Sequence, residues 1–474
     1  MNNIESLRFI YPEIAMTFFA LGSVLISVFS RQGRAVGVFA WAGVLVGMLL
    51  LPASFGTGKD FFFGLLINDA FSVFFRQIIL LVAGLIVLLS IQYKEWDEED
   101  SGEYYFFILT VAISMMLAVS TNNLMMVYIA LEAVSVVSYI LAGYLKRDIF
   151  SSEAGMKYFL FGVVSTGVAL YGISLIYGLC GTLDIPSVLA FAAFGTGPSL
   201  AFLFALVLIL VGLGFKCSLV PFHMWTPDVY QGAPTPVAAF LSVGPKAMGF
   251  ALLLRVFLNG SAPVIPGWVA LAGVISVLTM TVGNVTALKQ NHIKRLLAFS
   301  TIAQAGYIFL GLAVGTPEGI RAALFYILVY VFMNVGAFGA VIAIYYSLKS
   351  ETIEDYAGLY KKDPATAVIL AVSLLSLAGI PPLAGFLAKF FILAAAVKAK
   401  CIFLAVAAAV NSVIGLYYYV RVVKFMFLDE PKNDSPVVSC SLYLKFALLV
   451  TFFANILLGI WPQPVIGWIA HLFS

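Results

Sequence analysis

Apolar windows of about 20 residues, the length that crosses ~30 Å of hydrocarbon, recur from one end of the chain to the other. They fall near 11 to 29, 36 to 54, 71 to 92, 104 to 120, 123 to 144, 156 to 180, 200 to 220, 235 to 257, 266 to 287, 292 to 314, 320 to 347, 366 to 397, 402 to 427 and 443 to 470. This pattern predicts about fourteen helices. The connections are short, the longest running from 181 to 199 and from 349 to 364, so no separate soluble domain fits. Within the first of these, 184 to 194 is expected to form a short amphipathic helix lying in the membrane interface. The segment MNNIESLRFIYPE has no basic stretch directly before an apolar core and no small-residue cleavage site, so the first window reads as a retained span.

Composition fixes the class. With 62% hydrophobic and 10% charged residues and a mean hydropathy of +1.05, the chain departs from soluble domains, in which about 25% of residues are charged. It reads as an all-α polytopic membrane protein. With the N-terminus outside, the cytoplasmic loops carry Arg31, Arg34, Lys94, Lys146, Arg147, Lys289, Lys294, Arg295, Lys349, Lys361, Lys362 and Lys432, and the opposite loops only Lys59, Arg321, Lys398 and Lys400. Basic loops resist translocation, so the bias predicts an even number of spans with both termini outside. A net charge of +3 is too small to imply a nucleic-acid partner, and no basic run is interleaved with aromatics outside the spans. Cys180, Cys217, Cys401 and Cys440 are scattered without the spacing of a zinc or iron–sulfur site, so no bound metal or cluster is expected. The acidic run Glu95, Asp97, Glu98, Glu99 and Asp100 reads as a solvated cytoplasmic loop, with a docking surface for a partner as the alternative.

Charge inside the apolar windows is the informative signal. Residues 207–250 read as two spans joined by a proline-rich turn, and each span carries one lysine, Lys216 and Lys246. A lone ammonium there costs ~2.5 to 3.5 kcal/mol on insertion scales, so it requires a partner, a wet cavity or a task. Lys216 lies among Gly212, Gly214 and Pro221, a cluster that lets the helix break and free backbone groups inside the bundle; a packing kink with a snorkelling lysine is the alternative. Lys246 follows Pro245 at the centre of its span. The window from 366 repeats the device, placing Gly379, Pro381, Pro382 and Gly385 just before Lys389 and suggesting an internal duplication around Lys216 and Lys389, although lysine and proline stand in opposite order. Glu132 lies mid-span with Ser135 and Tyr139 on its face, either as a functional carboxylate or as one that merely neutralises a lysine. Ser300, Gln304 and Tyr307 form one polar stripe, and Tyr326, Tyr330 and Asn334 another, suited to interhelical hydrogen bonds or to ordered water. His223 and His292 sit near span ends, as caps or as proton relays.

Nucleophilic catalysis finds no support: there is no Ser/His/Asp arrangement, phosphate-cradling loop or dinucleotide fingerprint. Proton transfer suits these residues better. Burial disfavours a charged amine and a nearby carboxylate favours it, so making and breaking a Glu–Lys contact loads and unloads a proton. Moving one charge against ~180 mV costs about 4 kcal/mol, which is roughly three pKa units and within the range that burial and unpairing reach.

The motifs FHMWTPDVYQGAPTPVAAFLSVGPKA, NVTALKQNHIKRLLAFSTIAQAGYIFLGLA, SSEAGMKYFLFGVVSTGVALYGISLIYG and IEDYAGLYKKDPATA with SLAGIPPLAGFLAKFF are similar to the N subunits of bacterial NADH-quinone oxidoreductase, respiratory complex I. The resemblance runs from about Pro12 to Phe427. It implies a fourteen-helix antiporter-like fold with two inverted five-helix repeats, each holding one broken helix. The corresponding segments are 1 to 103 for N-terminal helices, 104 to 260 and 261 to 430 for the repeats, and 431 to 474 for a C-terminal helix. It also implies roles in proton translocation: Glu132 as the carboxylate modulating Lys216, Lys246 as the central connecting lysine, and Lys389 as the terminal lysine leading outward. No cofactor is expected in this chain. FMN, iron–sulfur clusters and quinone are expected in partner subunits, other membrane subunits and antiporter-like neighbours are the implied partners, and the bacterial inner membrane, with both termini periplasmic, is the implied location. Gln304 stands where the family pattern often has His, which argues against a histidine relay there, and a lysine rather than a glutamate at the second broken helix favours subunit N over subunit M. The chain also lacks the long lateral helix of subunit L. Two other readings stay open: a subunit of a multisubunit cation/proton antiporter, and a scaffold linking membrane subunits.

Overall fold

The apolar windows become helices whose limits are set by side chains that satisfy free backbone groups. A computed structural model describes residues 6–29, 33–52, 60–93, 95, 101–194, 199–258, 267–431 and 440–473. The expected loop residues Arg31, Lys59, Lys94, Asp97, Glu98, Glu99, Asp100 and Lys432 lie outside them. In chain order the helices are α1 (Tyr11–Phe29), α2 (Gly33–Leu50), α3 (Ala70–Ser90), α4 (Ser101–Val119), α5 (Leu124–Ala142), α6 (Ile149–Cys180), α7 (Ile185–Phe194), α8 (Leu200–Cys217), α9 (Trp225–Gly232), α10 (Thr235–Phe257), α11 (Trp268–Ala287), α12 (Ile293–Ala313), α13 (Pro317–Leu348), α14 (Leu359–Lys362), α15 (Pro364–Ala378), α16 (Ala384–Lys398), α17 (Ile402–Leu428), α18 (Leu442–Ile460) and α19 (Gln463–Ala470). A two-residue ladder, β1 (Asp60–Phe61) against β2 (Leu66–Ile67), precedes α3. Asp69, Asn123, Asp148, Thr316 and Asp363 cap α3, α5, α6, α13 and α15 through their side chains, as short polar residues do at helix starts.

Among the described residues thirteen helices are long and apolar enough to cross a membrane. The chain is a multi-pass membrane protein. The remaining expected crossing, 366 to 397, is split into α15 and α16, fifteen residues each, because Gly379, Pro381 and Pro382 cannot continue the hydrogen-bond ladder. The expected span 200 to 220 stops at Cys217 and its chain re-enters a helix only at Trp225. The last window also ends early, at Ile460, with Pro462 separating α18 from the short α19. Residues 184 to 194 do form a helix, but IPSVLAFAAF is apolar around most of its circumference and lacks the polar face expected of it.

Two compact units make up the chain: Met1–Cys217 with Gly244–Pro266, and Ser218–Val243 with Gly267–Ser474. In the first, α1 packs on α2 and α4, α4 on α5, and α6 along α8. In the second, α11 lies along α12, and α13 is surrounded by α12, α15, α16 and α18. The apolar window of α12 is wholly buried, whereas that of α18 is 28% buried, so α12 is interior and α18 is peripheral.

Two ion pairs hold the first unit together at its N-terminal helices. Arg76 of α3, 1% exposed, meets Glu13 of α1 at 2.5 Å and also donates to the Phe9 carbonyl at 2.9 Å and to Asn68 Oδ1 at 3.3 Å. Arg255 of α10 grips Asp69 with two bonds of 2.8 and 3.0 Å and donates to the Val119 carbonyl and to Asn122. Removing one partner of a buried pair leaves an uncompensated charge, at about 3–5 kcal/mol, whereas apolar replacement of both is often neutral. Glu13→Leu is therefore expected to lower the thermal midpoint of the purified protein strongly, and the double variant Glu13→Leu/Arg76→Met to recover most of that loss.

Candidate functional site

In the first unit α8 ends at Cys217 with its last carbonyls lacking helical partners, a local concentration of negative partial charge. Lys246, brought by α10 and 2% exposed, donates to the Cys217 carbonyl at 3.2 Å. The helices approach closely because Gly249 has no side chain: a Cβ there would lie 2.7 Å from Cys217 Sγ and 3.3 Å from Lys216 Cβ. Lys216, one residue before the end of α8 and 1% exposed, has no hydrogen-bond partner for its Nζ. It lies over three rings instead, Tyr158 at 5.3 Å, Phe215 at 5.4 Å and Tyr139 at 5.7 Å. Rings offer a cation their negative faces but no lone pair, so the amine is held without an acceptor. Glu132 of α5 is half-buried and acts on Lys216 through its charge, without an ion pair between them. The structure therefore gathers Glu132, Lys216 and Lys246 in one unit, with Lys246 bonded and Lys216 not.

In the second unit the interruption between α15 and α16 is built the same way. Lys389 of α16, 7% exposed, donates to the carbonyl of Ala378, the last residue of α15, at 2.9 Å and to Ser412 Oγ at 3.1 Å, with the Tyr307 ring at 4.7 Å. Gly379 makes this possible twice over: its φ of +89° is left-handed, and a Cβ would stand 2.9 Å from Lys389 Cδ. The expected stripe on α12 is fully engaged by direct interhelical hydrogen bonds. Gln304 Nε2 donates to the Leu377 carbonyl at 3.0 Å and to Tyr419 OH at 3.1 Å, Gln304 Oε1 accepts from Tyr326 OH at 2.5 Å, and Ser300 meets Tyr419 OH at 2.5 Å. On the other stripe, Asn334 donates to Ser242 at 2.5 Å.

The two interruptions share one contact. Lys246 and Lys389 each place an ammonium on the carbonyl that ends a half-helix. Lys216 precedes its break and makes no such bond, whereas Lys389 follows its break and reaches back to the end of α15.

A charged cluster outside the spans surrounds Glu351. His292 contacts it at 3.0 Å, and Lys294 at 3.2 Å while also donating to the Ala233 carbonyl that ends α9. Burial raises the Glu351 carboxyl, and Lys294 with His292 more than reverses this, holding it below the ordinary carboxylate value. Arg295 pairs with Asp228 of α9 at 2.7 Å. His292 is thus tied into an ion-pair cluster, and His223 is 8% exposed in the first interruption. Glu13, Arg76, Asp69, Arg255 and Glu351 were not among the sequence candidates. Arg76 satisfied the criterion used for the lysines, a charge within an apolar window, whereas Glu351 is informative only through its tertiary neighbours. Among the described residues no group of three or more His, Cys, Asp or Glu side chains is arranged to hold a metal ion.

Interrupted membrane helices with buried amines at their carbonyl ends define a class, the antiporter-like membrane proteins. Residues 121–415 match the NADH:quinone oxidoreductase/Mrp antiporter transmembrane family. NADH-quinone oxidoreductase subunit N of Trichlorobacter lovleyi is 41% identical over 468 residues, covering 97% of this chain and 96% of that protein. The chain belongs to this family and, within it, to the N subunits of NADH-quinone oxidoreductase. Among solved structures, a chain of respiratory complex I from Thermus thermophilus with bound aureothin superposes with a TM-score of 0.80 at 34% identity, covering 96% of this chain and 98% of that one. A chain of the Mrp complex from Dietzia sp. DQ12-45-1b shares the fold, with a TM-score of 0.84 at 21% identity, covering 98% and 97%.

Two outcomes follow from this geometry. Gly379→Ala is expected to destabilise the protein by at least about 1 kcal/mol, lowering its thermal midpoint, while Gly178→Ala, where a Cβ meets nothing within 4 Å, leaves the midpoint unchanged or slightly raised. Because the folded Glu351 carboxyl titrates below its unfolded value, its contribution is present above the unfolded value of about 4.3 and is lost as pH falls through the folded one. The midpoint of Glu351→Gln should therefore lie below wild type at pH 7, with the gap closing as the pH is lowered below about 4.

Proposed function

We propose that this chain is the proton-translocating membrane subunit of an NADH-quinone oxidoreductase, moving protons while electrons pass from NADH to quinone in other subunits. The observation that carries this reading is Lys216: a fully buried amine with no acceptor, on the helix that ends where Lys246 is bonded. An ammonium held only by rings is sensitive to any carboxylate that approaches or withdraws, and Glu132 is the carboxylate whose charge already acts on it. Changes transmitted from a distant quinone site would alter the Glu132–Lys216 separation, releasing the proton of Lys216 toward Lys246 and then Lys389. The last two differ from Lys216 in having carbonyl oxygens that accept from their ammonium groups.

Redox chemistry belongs to partners in this reading, with FMN, iron–sulfur clusters and quinone held by other subunits, and antiporter-like subunits as membrane neighbours. The location in this reading is the bacterial inner membrane, and the loop charges favour both termini on the periplasmic side. The division into segments 1 to 103, 104 to 260, 261 to 430 and 431 to 474, with two inverted repeats, draws support from the two interruptions and from α6 and α13, each 32 residues long. The fold shared with the Dietzia Mrp chain sustains a second reading, an antiporter subunit using the same amines without a redox enzyme.

Native membranes carrying Lys216→Ala distinguish these readings when NADH-driven quinone reduction, proton pumping and complex assembly are measured together. Assembly with a parallel fall in both activities of tenfold or more, the equivalent of ~1.4 kcal/mol or more, is expected. Normal stoichiometry in the variant would make Lys216 structural, and absence of linked NADH oxidation in wild-type membranes would favour the antiporter.

A further inference from the structure

In the second unit, a cleft of about 280 Å³ opens between the start of α13, the end of α16 and the short α19. Its two long walls are built alike. Along α13 the residues Glu318, Arg321 and Phe325 face it at helical spacing, charge at the end of the helix and ring one to two turns deeper; along α16 Lys398 and Phe391 repeat the order in reverse. Phe325 and Phe391 meet edge to face, centroids 5.2 Å apart, and Ile466 and Ile469 of α19 add to the apolar wall. The cleft therefore has a charged mouth and an apolar floor.

We propose that this cleft binds a membrane phospholipid, one acyl chain descending toward Phe325 and Phe391 and its phosphate held at the mouth by Arg321. Charge selects the headgroup. Lys398 is paired with Glu318, whose charge Arg321 also faces, so the three groups together carry a net charge of +1, and Arg321 is exposed with no hydrogen bond or ion pair to its guanidinium among the described residues. That net charge matches the single negative charge of a phosphodiester, and the guanidinium suits its oxygens in a bidentate fork. A neutral amphiphile would leave it unmatched. Size selects the chain: a helix about 10–12 Å across does not enter such a cleft, whereas its volume holds about nine water-sized groups, as a run of methylenes requires. Depth agrees, since Trp461, 65% exposed, stands between α18 and α19 as aromatic residues do at headgroup level. The site is independent of the proton path, and its failure would leave that reading untouched.

The test uses native membranes fused with phosphatidylglycerol vesicles containing a trace of phosphatidylglycerol with a diazirine at the end of one acyl chain. After illumination, adducts on the peptides holding Phe325 and Phe391 are expected about tenfold above those on Val406 and Val413, exposed residues of α17. Arg321→Gln should lower that yield about tenfold, the scale of one charge-assisted contact. Ala394→Trp, which fills the cleft, should abolish the excess; where this variant does not accumulate, the exposed Arg321→Gln carries the test alone. The assignment is overturned by equal labelling of both regions, by a yield indifferent to Arg321→Gln, by adducts to another polypeptide, or by a diazirine fatty acid that labels as well as the phospholipid.

Discussion

A helix that stops inside hydrocarbon leaves carbonyl groups with neither water nor a next turn to bond, and the interruptions after Cys217 and Ala378 are each answered by a basic side chain. Lys246 serves the Cys217 carbonyl, Lys389 that of Ala378 and Lys294 that of Ala233. Arginine does the same where spans end: Arg255 on Val119 and Arg421 on Leu288. The macrodipole reinforces each contact, because the carbonyl end of a helix is its negative pole. The same bond thus solves two problems, satisfying backbone and giving a buried cation a place to sit. The exception is Lys216, which neighbours such an end without using it.

This separates two populations of buried charge. Arg76 with Glu13 and Arg255 with Asp69 are multiply bonded, and arginine keeps its proton at any physiological pH, so these pairs fix helix positions. Lys216, Lys246 and Lys389 have carbonyl, hydroxyl or aromatic partners and no carboxylate in contact, and an amine carries an exchangeable proton. Gln304 belongs with the fixed set. Both its donors and its acceptor are engaged, and an amide takes up no net charge.

Much of this was legible in the sequence, and the reason is physical. A lysine in an apolar window is costly wherever the chain folds, so Lys216, Lys246, Lys389 and Glu132 announce themselves without a partner being known. Gly379 with Pro381 and Pro382 likewise interrupts any helix, and the split of 366 to 397 follows from local chemistry alone. What answers each lysine was not legible, because a backbone carbonyl such as that of Ala378 has no sequence signature and becomes an acceptor only where a helix ends. Nor does spacing show what surrounds Lys216, whose Nζ lies over the rings of Tyr158, Phe215 and Tyr139 with no hydrogen-bond partner. The apolar character of α7 was readable from IPSVLAFAAF, in which Ser187 is the one polar side chain.

One consequence lies in the dimensions of α16. It is a fifteen-residue rod, Ala384–Lys398, with Lys389 towards its middle and Lys398 at its outer end, nine residues or about 13 Å apart along the axis. Its outer end is tied by Lys398 to Glu318 of α13, while Lys389 is tied to the carbonyl of Ala378 on a separate helix, α15. One short helix is thus fastened to two different neighbours, a surface ion pair and a buried carbonyl joined by a single unbroken hydrogen-bond ladder.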